Sequence, residues 1–211
     1  MLILVTGLLQ LTYEVTCVEP TVSQPPCFTN LMSGRVVLLC GRSFSGKSTV
    51  ASYLADALGG QVVSHDAINA ERGLFGGDGI TVTEWARTLD IAHERVMAAT
   101  RKGGTVVVDD TSSPAVLRDG WRELSSAVSA PLALVYVDAS RDTIFRRQAQ
   151  NRATQQRRDV SDEVMAEHLD GFEPPAAKER AIYVGSGLTP LADVAAAVLA
   201  VFGRDPVKDS L

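Results

Sequence analysis

An α/β fold is predicted for this chain: a five-stranded parallel sheet with helices on both faces and an arginine-rich lid. Three observations predict it. Short apolar runs alternate with longer stretches of helical period, the pattern that joins parallel strands through crossover helices. The first run, Val36-Val37-Leu38-Leu39-Cys40, leads into Gly41-Arg42-Ser43-Phe44-Ser45-Gly46-Lys47-Ser48, which fits the phosphate-loop pattern G-x-x-x-x-G-K-[ST]. Carboxylates follow the second and third runs, Asp66 and Asp109-Asp110, at the edge where a parallel sheet places its site.

Each element has a local reason. Lys47 to Leu58 carries apolar residues at helical spacing (Val50, Tyr53, Leu54, Ala57, Leu58) and stops at Gly59-Gly60, a normal helix end. Gln61 to Ser64 reads as a short second strand that delivers His65-Asp66, and the glycine-rich Gly73 to Gly79 as a mobile loop. Thr83 to Lys102 is an amphipathic helix ended by Gly103-Gly104. Thr105 to Asp110 is a third strand, apolar until its two carboxylates, as a strand covered on both faces must be. Ser113 and Pro114 supply an N-cap and a first-turn proline for a helix to about Ala127.

Leu132 to Asp138 is a further buried strand, followed from about Arg141 by an arginine-rich helix. Arg152 to Val160 has no apolar period and reads as a loop. Ser161 caps a helix to Gly171, and Phe172-Glu173-Pro174-Pro175 breaks it. Ala181 to Val184 is the last strand, and Thr189-Pro190 opens the final helix. Neither an internal repeat nor a low-complexity tract interrupts this order.

With 211 residues there is room for one α/β domain but not a second full one. A formal charge of −5 argues against a general nucleic-acid binder. Cys17, Cys27 and Cys40 have no metal-ligand spacing and read as reduced or incidental thiols, consistent with a cytoplasmic protein. The apolar Met1 to Leu9 is too short for a membrane span and has no preceding Lys or Arg, and the Pro-, Thr- and Ser-rich Glu19 to Asn30 offers no convincing cleavage site. Residues 1–33 are therefore expected to be a dispensable extension, or a product of start-site choice at Met1 rather than Met32, with residues 34–211 forming the domain. Monomer and homodimer both remain open, and no membrane association is expected.

The loop explains its own spacing. Glycines let backbone N–H groups curl round a β-phosphate, Lys47 reaches the β/γ oxygens, and Ser48 can hold Mg²⁺ where the next helix begins. Gly41, Arg42, Ser43, Phe44, Ser45, Gly46, Lys47, Ser48 and Thr49 are thus the expected nucleotide contacts, with ATP and Mg²⁺ as the implied cofactors. No N-K-x-D guanine motif is present. An acid after the second strand, an acidic pair after the third and an arginine cluster after the fourth suit phosphoryl transfer to a bound hydroxyl.

In that order these pieces resemble the small P-loop kinases that include the polynucleotide 5′-kinase domain, chloramphenicol phosphotransferase and the zeta toxins. The resemblance covers about residues 34–185: the loop, Asp66, Val106 to Ser112 with Arg118 downstream, and Val137-Asp138 leading to Arg146-Arg147 and Asn151-Arg152. It implies that Asp66 is the general base, that Asp109 holds Mg²⁺ with Ser48, that Arg152 is the transition-state arginine, and that Arg146 or Arg147 touches nucleotide. His65, Asp110, Thr111 and Arg118 fall with the acceptor. Ser112 stands where the polynucleotide kinases have Asn, which weakens a nucleic-acid acceptor.

Other roles fit some of these residues. Asp66 would also suit an N-cap before Ala67-Ile68-Asn69. Arg141, Arg146, Arg147, Arg152, Arg157 and Arg158 include solvated helix positions with local pairs such as Asp142 to Arg146. Trp85, Trp121 and Tyr53 are expected in the core, whereas Phe75, inside a glycine-rich loop, is expected to face a ligand. The functional expectation is an ATP-dependent kinase acting on a hydroxyl of a small molecule such as an antibiotic, sugar or nucleoside. The alternatives are a polynucleotide 5′-hydroxyl kinase and an ATP-dependent sequestering protein that transfers no phosphate.

A chain begun at Met32 should fold and bind ATP like the full chain. Thermal melting and nucleotide titration of the two forms compare them directly, and a loss of either property shows that the extension matters.

Overall fold

Leaving β1 (Arg35–Cys40), the chain runs through the glycine loop into α1 (Lys47–Leu58), then β2 (Gln61–Ser64) and α2 (His65–Glu71). It continues as α3 (Val82–Thr100), β3 (Thr105–Asp109), α4 (Ala115–Ala127), β4 (Leu132–Asp138) and α5 (Arg141–Thr154). α6 (Asp162–Asp170), a 3₁₀ turn (Ala177–Glu179), β5 (Ile182–Gly185) and α7 (Leu191–Phe202) complete it. This is a computed structural model, and it describes residues 34–75, 79–155 and 159–203. The expected extension 1–33 with Cys17 and Cys27, the tip of the glycine-rich loop at 76–78, and Arg157 and Arg158 lie outside the described residues.

The sheet is parallel, in the order β2-β3-β1-β4-β5, with β1 at its centre between β3 and β4. Because side chains alternate across a strand, β1 feeds two cores. Val37 and Leu39 join Val107, Val135, Leu54 and Val198 beneath α1 and α7. Val36, Leu38 and Cys40 join Val106, Val108, Val96 and Trp121 beneath α3 and α4. This double covering is why the runs are apolar without alternation. Burial pushes the Cys40 thiol up to about 11, so it behaves as a small apolar side chain. Among the described residues no helix is long and apolar enough to cross a membrane.

Several boundaries differ from expectation for identifiable reasons. The short helix α2 follows β2 without a loop, capped by Ser64, whose Oγ accepts from Ala67 N–H at 3.3 Å. The cap is therefore Ser64 and not Asp66, which lies in the first turn. Thr81 caps α3, so that helix starts a residue before Thr83. Pro114 occupies the cap of α4 and Ala115 its first position. α5 continues through Arg152 to Thr154 because its inner stripe is polar: Gln148 and Asn151 are buried beside Ile144, and Gln148 Nε2 donates to Val160 O at 3.1 Å. An apolar-period search passes over such a stripe.

Arg118 requires a correction. It was expected near the acceptor, yet its side chain is fully buried in α4. Its Nε and Nη2 donate to the Glu179 carboxylate at 2.8 and 2.9 Å, and Nη1 donates to Ser112 O (2.9 Å) and Glu173 O (3.0 Å). With every direction of its fork engaged, it ties the strand end after β3 to the segment after α6 and faces no substrate. Arg122 adds a contact to Glu179 at 2.7 Å.

Removing one partner of such a pair leaves an uncompensated buried charge, so Glu179→Gln should lower unfolding free energy by about 3–5 kcal/mol at neutral pH. Hydrogen bonds from Arg118, chiefly, hold the Glu179 carboxyl at about 2 against its ordinary 4.5. The stabilisation is thus present above pH 4.5 and lost as pH falls through about 2. Denaturant titrations of both forms across that window should show the difference shrinking with acid.

Candidate functional site

The loop after β1 lies between the ends of its two neighbouring strands. Gly41 N–H donates to Thr111 O at 3.1 Å, and a Cβ on Gly41 would fall 2.5 Å from Val137 O, so no larger residue fits the passage. Ser45 N–H closes a turn to Arg42 O (3.1 Å), and Gly46 at φ 103° opens α1 without a side-chain cap. The first N–H groups of α1 are consequently left for an anion. Lys47 Nζ donates to Arg42 O at 2.8 Å, which holds the ammonium over the hollow of the loop. Phe44, at the loop's crest, is buried in a separate cluster with Ile144, Val160, Met165 and Leu169, so α5 and α6 pack on the loop itself.

Two cavities meet at this loop. The larger, about 700 Å³, lies between Gly46–Val50, Arg147, Gln150 and Asn151 on one side and Ser186–Leu191 on the other. The smaller, about 310 Å³, is enclosed by His65, Asp66, Asn69, Phe75, Trp85, Asp109, Asp110, Thr111 and His168. Lys47 and Ser48 line both. The larger cavity has the size and loop contacts for a nucleotide, and the smaller holds the carboxylates.

The electrostatics of the smaller cavity centre on three acids. Burial pushes Asp109 up, while Lys47 and a hydrogen bond from the Ser48 side chain pull it down. Asp66 and Asp110 add repulsion there, a crowding that a divalent cation beside Ser48 and Asp109 would relieve. The oxygen donors fit magnesium, which binds through one or two protein groups and substrate phosphates. Asp110 accepts from Ser112 N–H (2.8 Å) and Oγ (3.1 Å) and pairs with His65 Nδ1 at 3.1 Å. Burial would raise Asp110, yet His65 and Ser112 hold it well below the usual carboxylate range. Burial likewise opposes charge on His65, but Asp110 prevails and lifts the imidazole above its ordinary value.

Of the expected residues, Ser43, Phe44, Gly46, Lys47, Ser48 and Thr49 of the loop, together with His65, Asp66, Phe75, Asp109, Asp110 and Thr111, are brought to these cavities, whereas Gly41, Arg42 and Ser45 line neither and the Arg42 guanidinium lies over Phe172 beside Asp138; Phe75 is 43% exposed on the wall of the smaller one. The arginines differ. Arg147, not Arg146, reaches the loop: its Nη1 donates to Phe44 O (3.0 Å) and Ser45 O (2.8 Å). Arg146, one residue and about 100° round the helix, turns to Thr143 Oγ1 (3.3 Å) rather than to Asp142. Arg152 lines neither cavity; Asp159 and Asp162 hold it at 2.7 Å each.

Trp121 is fully buried and Tyr53 sits outside on α1, but Trp85 lines the acid-bearing cavity and not the core. Sequence reasoning missed Trp85, Asn69, His168 and the Ser186–Leu191 wall. Only Trp85 carried a signal: with Val82 and Leu89 it makes an i, i+3, i+7 stripe apart from the buried Thr88, Ala92, Val96 stripe.

A family model described as an AAA domain matches residues 36–175. Among solved structures, the Mycobacterium tuberculosis APS kinase CysC, in complex with AMPPNP and APS, is 18% identical with TM-score 0.61, covering 82% of this chain and 99% of that one. A gluconokinase from Sinorhizobium meliloti 1021 is 24% identical with TM-score 0.58, covering 82% and 93%. Chaetomium thermophilum Kti12, in complex with ADP-AlF3, is 12% identical with TM-score 0.66, covering 80% and 100%. At these identities the likeness is one of fold. No curated protein matches the sequence.

Gly41→Ala should force the loop off the end of β4. A misfit of about 1–3 kcal/mol weakens ATP binding about 5- to 150-fold, measurable by titration with a fluorescent ATP analogue; unchanged affinity contradicts the clamped loop.

Proposed function

This chain belongs to the P-loop kinase family whose model is described as an AAA domain, and from that premise we propose that it transfers the γ-phosphate of ATP to a hydroxyl of a small molecule. One observation carries the proposal: Lys47 and Ser48 are the residues common to the nucleotide-sized cavity and the carboxylate-lined one. A phosphoryl group at that junction faces ATP's binding cavity on one side and Asp66 on the other. The volume of the second cavity, about 310 Å³, suits a small molecule. The gluconokinase and APS kinase folds support phosphoryl transfer as the reaction class.

The roles follow from placement. The loop amides and Lys47 bind and orient the phosphates, and Arg147, already against the loop, lies on the nucleotide side. Magnesium, when bound, would neutralise phosphate charge, with Ser48 and Asp109 holding it. Asp66 accepts the acceptor's hydroxyl proton, and the His65–Asp110 pair shapes the wall beside it. Arg152 takes part only by exchanging Asp159 and Asp162 for phosphate oxygens. Residues 34–211 are the proposed catalytic unit, residues 1–33 are not required, and the proposed setting is the cytoplasm.

Asp66→Asn should reduce transfer from γ-labelled ATP by about 10²- to 10⁴-fold while the Kd for ATP stays unchanged. The acceptor panel runs from nucleosides, sugars and antibiotics to a 5′-hydroxyl oligonucleotide, with Lys47→Ala as the blank. Label on the oligonucleotide alone transfers the assignment to a 5′-end kinase, and an Asp66→Asn variant that keeps its full cellular effect favours sequestration.

A further inference from the structure

A third cavity of about 460 Å³ opens directly off the carboxylate-lined one, sharing His65, Trp85, Asp110, Thr111 and His168 with it. Its character is different. One wall is the stripe Val82, Trp85, Ala86, Leu89, spaced i, i+3, i+4, i+7 along α3, and the facing wall is Leu117 and Phe172. The fully buried residues of α3, Thr88, Ala92 and Val96, lie on another face; Leu89 of the stripe also packs against the core, while Val82 remains 67% exposed at the rim. Phe172 is held flat by Tyr136, stacked at 6.0 Å, and by the Arg42 guanidinium at 4.5 Å. The chamber thus has two aromatic side chains fixed or half-buried in its walls.

Charge narrows the occupant further. Among the described residues lining the two joined cavities, Lys47 is the sole lysine or arginine, and it belongs to the phosphate loop. The remaining carboxylates are Asp66, Asp109 and Glu167 at the walls and Asp110, which is paired with His65. Burial keeps His168 below the usual histidine range, so it adds no cation at neutral pH. Among the described lining residues a carboxylate on the acceptor would meet only Lys47, which belongs to the phosphate loop, and His65, which is already paired with Asp110, whereas an ammonium would meet several carboxylates.

We propose that the acceptor is an uncharged or cationic aryl alcohol, its hydroxyl at Asp66 and its ring in the chamber between Trp85 and Phe172. This rests on the kinase reading above and adds the substrate class to it. In the transfer, the acceptor oxygen bonds to the γ-phosphorus, the bond from that phosphorus to the β,γ-bridging oxygen breaks, the hydroxyl proton passes to Asp66, and ADP leaves. A ring enclosed by apolar walls and offset against aromatic side chains gains affinity that a methyl group in its place does not.

The test is calorimetric titration of the full chain, saturated with AMPPNP and Mg²⁺, with a matched pair: phenylalaninol and alaninol, which share an amino-alcohol head and differ by the ring. Phenylalaninol should bind about tenfold or more tightly, more tightly also than the anionic 3-phenyllactate, and Ala86→Phe, which fills the chamber from an exposed helix position, should erase the difference. Equal or undetectable binding of the pair, or a preference for phenyllactate, overturns the proposal. The two readings fail separately. Phenylalaninol bound tightly without any transfer to the acceptor panel removes the kinase and keeps the chamber; phosphorylation of gluconate without aryl preference does the reverse.

Discussion

Everything at the edge of the sheet that bears the two cavities depends on how the chain leaves β1. Gly41 passes between the ends of β3 and β4 with its N–H on Thr111 O and Val137 O so near that a methyl group would collide. That passage sets where the loop turns, and the turn sets where α1 begins. Lys47 and Ser48 therefore stand at the boundary of two cavities as a consequence of strand order, β3-β1-β4, and Lys47 Nζ is held further by Arg42 O. Phe44 adds a second anchor, because its burial under α5 and α6 fixes the loop's crest.

The acids beside the loop are arranged so that each is held differently. Asp110 is held in its charged form by His65 and Ser112, Asp109 is desolvated against Ser48 and Lys47, and Asp66 stands exposed in the first turn of α2. Three carboxylates in one small cavity would repel one another without these distinctions. Asp66 is the acid proposed to meet a substrate, since among the described residues its side chain has no partner comparable to those that His65 and Ser112 provide for Asp110. Behind this edge the buried Arg118–Glu179 pair, with Arg118 also donating to Ser112 O and Glu173 O, ties the segment after β3 to the segment after α6.

The strands, the loop and Asp66 with Asp109-Asp110 were legible because each has a sequence signal with a physical cause: doubly covered strands are continuously apolar, and a phosphate loop needs glycine at fixed offsets. What was not legible lies in side-chain direction. Nothing in the one-dimensional pattern separates Arg146 from Arg147, since both sit in one arginine-rich helix and only the helical phase decides which meets the loop. Arg118 was placed with the acceptor by the resemblance alone, and its true partner Glu179 is 61 residues away, beyond the reach of any local pattern. The end of α5 was hidden because its inward stripe is Gln148 and Asn151, and Trp85 was hidden because an apolar stripe facing a cavity reads like one facing a core.

In the proposed reaction a phosphoryl group passes across the ridge made by Lys47 and Ser48. A crystal structure of the chain with AMPPNP and Mg²⁺ tests it most directly. The nucleoside is expected between Arg147 and the Ser186–Leu191 wall, with the γ-phosphate at Lys47 and turned toward Asp66. A nucleotide seated with its γ-phosphate away from Asp66, or with its base in the carboxylate-lined cavity, would contradict it.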